Sequence, residues 1–339
     1  MNSKHWTPLH ARVHGLLRQR QLLPKNQGIL LGFSGGQDSM CLLKLLVDLQ
    51  PKWVWNLAVA HCDHRWPLDS GKNAQYAAEL VQQWQLPYFS CTAPKVLKGE
   101  AEGRDWRYRE MAEVANSQGY GAVVTAHTAS DRTETLLYNL IRGSGADGLQ
   151  ALTWQRPLPE GIQLIRPLLT VTRAETATFC QDLDLPIWQD AMNQDLHYRR
   201  NRIRQDILPY IRQHFNPNVD TSIAQTAELL QADVAYLEAK AKEQLATATH
   251  QPLPSELAQD TQILAALNRT VLQQAPLALQ RRAVRQFLRM HLQISPTFAH
   301  VEKVTALISA PNRSRSDPIT ARVIALNSAQ WLCLYDLSP

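Results

Sequence analysis

The chain has 339 residues, 45% of them apolar, with a formal charge of +5 and a pI near 9.0. That length predicts about two domains, and the basic balance permits a polyanionic partner without requiring one. The five cysteines (41, 62, 91, 180 and 333) are scattered and form no C-x-x-C pair, which argues against a disulfide framework, a zinc site or a cysteine-held cluster. No run approaches the ~20 apolar residues of a membrane span, and the N-terminus MNSKHWTPLHARVHGLLRQR lacks the apolar core of a secretory signal. A cytoplasmic protein with no membrane partner is expected.

Residues 1–27 read as a basic helix carrying Arg12, Arg18 and Arg20. Gly28 to Ser39, GILLGFSGGQDS, follows. Ile29 to Phe33 is an apolar run of strand length. From Met40 to Leu49 the apolar positions Cys41, Leu42, Leu45, Leu46 and Leu49 fall at helical spacing. Ser34, Gly35, Gly36, Gln37, Asp38 and Ser39 therefore form a small loop between a buried strand and a helix N-terminus. Such a loop aims backbone N–H groups at an anion, and the helix dipole adds to the attraction. Ser34 and Ser39 add hydroxyl donors. Asp38 repels phosphate, so its expected partner is a Mg²⁺ ion. The lysine of the better-known phosphate loop is missing.

Trp53 to Ala60 reads as a second strand ending in His61-Cys62-Asp63-His64. Ligands of open α/β sheets bind at such carboxyl ends. For these histidines a structural or nucleotide-flanking role is favoured over metal ligation. Residues 69–85 read as a helix and Tyr88 to Thr92 as a third strand. Arg104 and Arg107 follow, three apart and so on one helical face, suited to phosphate or carboxylate. Ala122 to Ala126 is a fourth strand, ending in His127. Asp131 and Glu134 then share the first turn of the next helix, either as complements to its dipole or as a carboxylate pair for a cationic group. Arg142 to Gly145 ends that helix in a loop whose N–H groups could hold phosphate, although alone the pattern is only a helix-stop signal. Gln163 to Leu169 is a fifth strand and Thr172 to Leu183 a helix. This βα alternation predicts a doubly wound parallel sheet.

Asp190 to Arg212 holds Arg199, Arg200, Arg202, Arg204 and Arg212, a density that suits a nucleic-acid backbone. Beyond Phe215-Asn216-Pro217-Asn218 the pattern becomes helical: residues 219–248, about 260–273, 277–293 and 297–309. Ala321 to Asn327 and Gln330 to Leu337 alternate like a hairpin. Arg281, Arg285 and Arg289 recur every four residues as a candidate phosphate-contacting stripe. The expected division is an α/β domain over 1–215 and a smaller, mainly helical domain with a C-terminal hairpin over 219–339.

SGGQDS at 34–39 resembles the signature of the PP-loop ATP pyrophosphatases, which cleave ATP to AMP and pyrophosphate. Narrower motifs resemble the tRNA(Ile)-lysidine synthetase family. They are His61-x-Asp63-His64, Glu100-x-x-x-Arg104-x-x-Arg107-Tyr108, and His127 through Asp131-x-x-Glu134-Thr135 into Arg142-Gly143-Ser144-Gly145. Arg166-Pro167-Leu168-Leu169, Asp190-x-x-Asn193-x-Asp195 and Arg200-Asn201-x-x-Arg204 complete them, in the family's order over residues 28–209. The Gln280-Arg281-Arg282 helix is similar to one in the family's middle domain.

The resemblance implies a specific reaction. ATP adenylates the C2 oxygen of the wobble cytidine of an isoleucine tRNA with a CAU anticodon. The ε-amine of free L-lysine then displaces AMP, giving lysidine. It further implies that Ser34 to Ser39 and His61 bind ATP, with Asp38 on Mg²⁺. Arg104 would stabilise phosphate or the adenylated base. Asp131 and Glu134 would bind lysine, and Arg200, Asn201, Arg204, Arg281 and Arg285 would bind tRNA. A homodimer is left open. Three positions depart from the pattern: Ser130 in place of a common aspartate, Arg65-Trp66-Pro67 after Asp-His, and Ala146-Asp147 after the glycine loop. Two rival readings are a PP-loop tRNA thiolase and a non-catalytic RNA-binding protein on a relic nucleotide fold. The first lacks a suitable cysteine arrangement. Intact Ser34, Asp38, Ser39, Asp131 and Glu134 argue against the second.

Overall fold

The computed structural model describes residues 6–65, 70–97, 99–188 and 199–338. The Asp190-x-x-Asn193-x-Asp195 motif and Trp66-Pro67 lie outside them. The chain divides into two compact units, Met1–Gln231 and Ala232–Pro339.

The first unit contains α1 (Pro8–Arg20), β1 (Gly28–Gly32), α2 (Gln37–Trp53), β2 (Asn56–Asp63), α3 (Ser70–Gln83), β3 (Tyr88–Thr92), α4 (Gly99–Ser117) and β4 (Ala122–Val124). Next come α5 (Ala129–Ile141), α6 (Ala146–Leu149), β5 (Gln155–Pro157), β6 (Gln163–Ile165), α7 (Arg173–Asp182), α8 (Arg199–Arg202) and α9 (Leu208–His214), with a π-turn over Ile203–Ile207 between the last two. The strand order is β3-β2-β1-β4-β6-β5. All pairs are parallel except β5–β6, an antiparallel edge strand that the sequence pattern does not predict. The apolar run of β1 is buried on both sides, as a central parallel strand requires. Ile29 and Leu31 join the core that α2 packs against. Leu30 faces the other way, among Met111, Ala112 and Ala115 of α4. The strand order reverses between β1 and β4, so the segments leaving their carboxyl ends diverge at a switch point, where open α/β sheets bind ligands.

The helix α10 (Val219–Thr249) runs from the first unit into the second. In the second unit α11 (Ser255–Ala258), β7 (Ile263–Asn268), α12 (Arg269–Gln273), α13 (Leu277–Leu292), α14 (Phe298–Thr305), β8 (Val323–Ser328) and β9 (Trp331–Asp336) follow. The hairpin of β8 and β9 is as the alternation predicts. The helix expected over 260–273 is not: residues 263–268 pair antiparallel with β9, completing a sheet of order β7-β9-β8. ILAALN has the composition of a helix, but the open edge of β9 overrides that weak preference. The apolar face of α13 (Ala283, Val284, Phe287 and Leu288) is fully buried in this unit's core.

Candidate active site

The loop after β1 is built by its own side chains. Gly35 has φ +82°, and a Cβ there would stand 2.9 Å from Asn73 Oδ1 and 3.0 Å from Trp188 Cβ, so only glycine fits. Gly36 caps α2 without a side-chain hydrogen bond, which leaves the first N–H groups of a long helix to a ligand. This cradle fits the phosphates of ATP. Ser39 is buried and donates to Gly36 O at 2.8 Å, while its Oγ accepts from Ser34 N at 3.3 Å. Gln37 Nε2 donates to Arg173 O and Thr176 Oγ1 at 2.8 and 3.1 Å. His61 is buried with Nδ1 2.9 Å from Phe33 O, and burial lowers its pKa, so the neutral ring donates to that carbonyl. Of the residues assigned to ATP, Ser39, Gln37 and His61 thus brace the loop.

Asp38, Asp131 and Glu134 come from two helices and meet on one guanidinium that the motif reading did not single out. Arg173, at the first position of α7, reaches Asp38 Oδ2 at 3.2 Å, Asp131 Oδ1 at 2.8 Å and Glu134 Oε1 at 3.1 Å. Its backbone N–H also donates to Ser130 Oγ at 3.2 Å, which gives a role to the serine that departs from the family pattern. Arg204 forks onto Glu134 at 2.7 and 2.8 Å and lies 3.7 Å from Asp131. Three carboxylates thus share two guanidiniums, which leaves one negative charge for a further cation.

Burial works to raise the Asp131 pKa, but Arg173 and the hydrogen bonds from Thr128 N and Oγ1 outweigh it and hold the carboxyl below its usual range. Burial raises the Asp38 pKa, and Asp131 adds to that, against the pull of Arg173 and of the Thr176 hydroxyl. Burial, with Arg166 next, pushes His127 down to about 3, so this imidazole is neutral at physiological pH and a weak base.

The oxygen chemistry of Asp38, with Asp131 on the same guanidinium, suits a Mg²⁺ ion that arrives with phosphates, since this ion typically takes only one or two carboxylates from protein. The His61-Asp63-His64 cluster gathers no such set. Asp63 accepts from Arg65 N at 2.7 Å, and His64 stands edge-on to Trp106 with ring centroids 5.1 Å apart. Among the described residues, no three His, Cys, Asp or Glu side chains converge on a metal-sized site.

A cavity of about 560 Å³, ample for a small substrate, opens beside Asp131 and Glu134. Arg104, Arg107, Arg200, Asn201 and Arg204 line it, so three residues assigned to tRNA belong to the walls of this cavity. Arg200 is also paired with Glu100 at 2.6 Å. In the second unit Arg281 forks onto Glu302 at 2.7 and 2.8 Å, and Arg285 meets Glu238 at 2.5 Å, so both stripe arginines carry acid partners. Arg289 of the same stripe is exposed. The Arg142–Gly145 segment is a helix stop, with Ser144 N donating to Asn139 O at 2.9 Å. Arg173 had one readable signal: a cation at the first position of a helix opposes the dipole, which implies an acidic partner from elsewhere in the fold.

The SGGQDS loop at the switch point of a parallel sheet is that of a PP-loop protein. The family model for the PP-loop domain matches residues 7–211, and that for the TilS substrate binding domain matches residues 267–320. The chain is 53% identical to tRNA(Ile)-lysidine synthase from a Nostoc species, over 97% of either chain. It is 48% identical to tRNA(Ile)-lysidine synthase from a Synechocystis species, over 96% of this chain and 97% of that one. The chain belongs to the tRNA(Ile)-lysidine synthase family. Among solved structures, the U34-tRNA thiolase from Methanococcus maripaludis is similar in fold, with a TM-score of 0.55 and 17% identity over 66% of this chain and 78% of that one.

Proposed function

We propose that this enzyme joins free lysine to C2 of the wobble cytidine of an isoleucine tRNA with a CAU anticodon, using ATP. One observation carries the reading: Asp131 and Glu134 line a small-molecule cavity and share Arg173 with Asp38 of the ATP loop. A cluster of three carboxylates with one charge to spare, beside a nucleotide cradle, suits an ammonium substrate that must meet an adenylated partner.

In the first step the cytidine O2 attacks the α-phosphorus of ATP. An O2–P bond forms, the bond to the β-phosphate breaks and pyrophosphate leaves. The Gly35–Gly36 backbone and the start of α2 hold the phosphates, and Arg104 faces the charge that builds on the adenylated base. Mg²⁺ held by Asp38 would offset the charge on the departing pyrophosphate. In the second step the lysine ε-nitrogen attacks C2, the C2–O bond breaks and AMP leaves. The attacking amine must first lose a proton. One carboxylate of the Asp131–Glu134 pair, both of which line the cavity, is placed to accept it. Arg204 has to release part of its fork for an ammonium to reach Glu134. An anticodon-loop cytidine is single-stranded, so it enters a pocket at little unstacking cost. The second unit grips the tRNA, and Arg289 offers that unit an exposed cation.

Release of AMP and pyrophosphate by the purified protein tests this reading. The expected result is release that requires a tRNA with wobble cytidine, with a wobble-uridine tRNA as the control. Equal release with both RNAs would refute the assignment of the target base.

A further inference from the structure

The cavity holds more positive charge than the reaction so far uses. Arg107, Arg156 and Arg166 gather around one ring. The Arg156 guanidinium lies 4.8 Å from the Tyr108 centroid and that of Arg107 5.5 Å, and Arg166 lines the same cavity close enough to draw down the Tyr108 pKa. Arg166 is only 3% exposed, and its Nη1 donates to Thr153 O at 2.7 Å. Its Nε, like that of Arg107, is buried without a partner. Among the described residues, no carboxylate pairs with any of the three; Glu100 is taken by Arg200, and Asp105 lies 3.6 Å from Arg104.

The neighbours register this field. Burial opposes the ionised Tyr108, yet Arg107, Arg166 and Arg156 bring its pKa below the usual value. Burial together with Arg107 takes His64 down to about 4. Guanidiniums crowded in a partly desolvated cavity repel one another, and an anionic ligand offsets that cost.

The ATP phosphates are a poor candidate for that anion, because none of Ser34 to Ser39 lines the cavity. A tRNA backbone is poorer still, since Arg166 is buried. The amino-acid substrate is the remaining source. Its ammonium belongs to Asp131 and Glu134, and His127 senses both Asp131 and Arg166, so the acidic and basic clusters lie within range of one imidazole. A zwitterion answers both.

We propose that Arg166, with Arg156 and Arg107 beside it, forms the subsite for the α-carboxylate of the lysine substrate, so that the cavity selects a free amino acid over a bare diamine. This rests on the lysine-ligating reading above. A guanidinium–carboxylate fork is the geometry that arginine supplies and lysine does not.

The test compares L-lysine with 1,5-diaminopentane, which keeps the chain and both amines but has no carboxylate. Incorporation into the CAU tRNA is followed for the intact protein and for Arg166→Gln, Arg156→Gln and Arg166→Lys. The intact protein should prefer lysine by about 100-fold in kcat/KM, the scale of a charged hydrogen bond lost from a shielded site. Arg166→Gln should raise the lysine KM and erase most of that preference, with the KM for ATP and for tRNA unchanged. Arg166→Lys should restore it only in part. Arg156→Gln replaces an exposed side chain, so it keeps the question answerable if the buried substitution fails to fold; it should weaken the preference in the same direction.

Equal losses with lysine and the diamine, or a raised KM for tRNA, would overturn the subsite and leave lysine ligation standing. No incorporation of either amine by the intact protein would overturn the ligation reading and the subsite together.

Discussion

At the scale of single residues, Arg173 organises the site. Its guanidinium joins the ATP-loop carboxylate to the pair that faces the cavity, so any change in the charge of one acid is felt by the other two. Asp131 has two tasks, on separate oxygens. Oδ2 accepts from Thr128 and caps α5, while Oδ1 faces Arg173. Asp131→Asn keeps an acceptor for the cap and removes the charge. We expect it to raise the lysine KM by about 10-fold or more, as loss of a charge-assisted contact does, with the ATP KM nearly unchanged. Steady-state kinetics at saturating tRNA read both values. Equal effects on lysine and ATP would contradict the lysine assignment.

The acids at this site were legible from their spacing, because three residues apart means one face of a helix. Their partners were not. Arg173 and Arg204 lie 39 and 70 positions from Glu134, and only the fold brings them there.

At the scale of elements, α5 and the start of α10 are tied by a buried charge. Arg132 is fully buried on α5, with Nη1 2.8 Å from Glu228 Oε2 and Nη2 3.2 Å from Gln231 Oε1. Glu228 also accepts from Arg20 at 2.6 Å and from Trp154 Nε1 at 2.7 Å. Glu228→Ala would leave Arg132 buried with its charge uncompensated. A loss of about 3 kcal/mol is expected, typical of a broken buried pair, read as a lower denaturation midpoint with unchanged m-value. A loss under about 1 kcal/mol would instead mark the pair as an ordinary surface contact.

Helices and central strands of the first unit were readable because their apolar periods are long and clean. The strand β7 was not, since ILAALN carries no alternation and its partner β9 lies more than sixty residues away. Edge strand β5, three residues including a proline, is too short to give any periodic signal.

At the scale of the whole molecule, the chain joins a nucleotide-binding unit to a mainly helical one, and the reaction needs both a small amine and a large RNA. Arginine density alone suggested RNA contact across 199–212 and along α13, yet the structure spends several of those charges internally, on Glu134, Glu100, Glu302 and Glu238. Sequence counts charges; only the fold tells which are already neutralised.

The most direct test of lysine ligation is the identity of the modified nucleoside. After incubation of the intact protein with ATP, Mg²⁺, lysine and unmodified CAU tRNA, the RNA is digested and its nucleosides are weighed by mass spectrometry. The predicted product is a cytidine that has gained one lysine and lost one water, found at the wobble position and nowhere else. AMP release with an unchanged wobble cytidine, or with a sulfur-bearing nucleoside in its place, would contradict it.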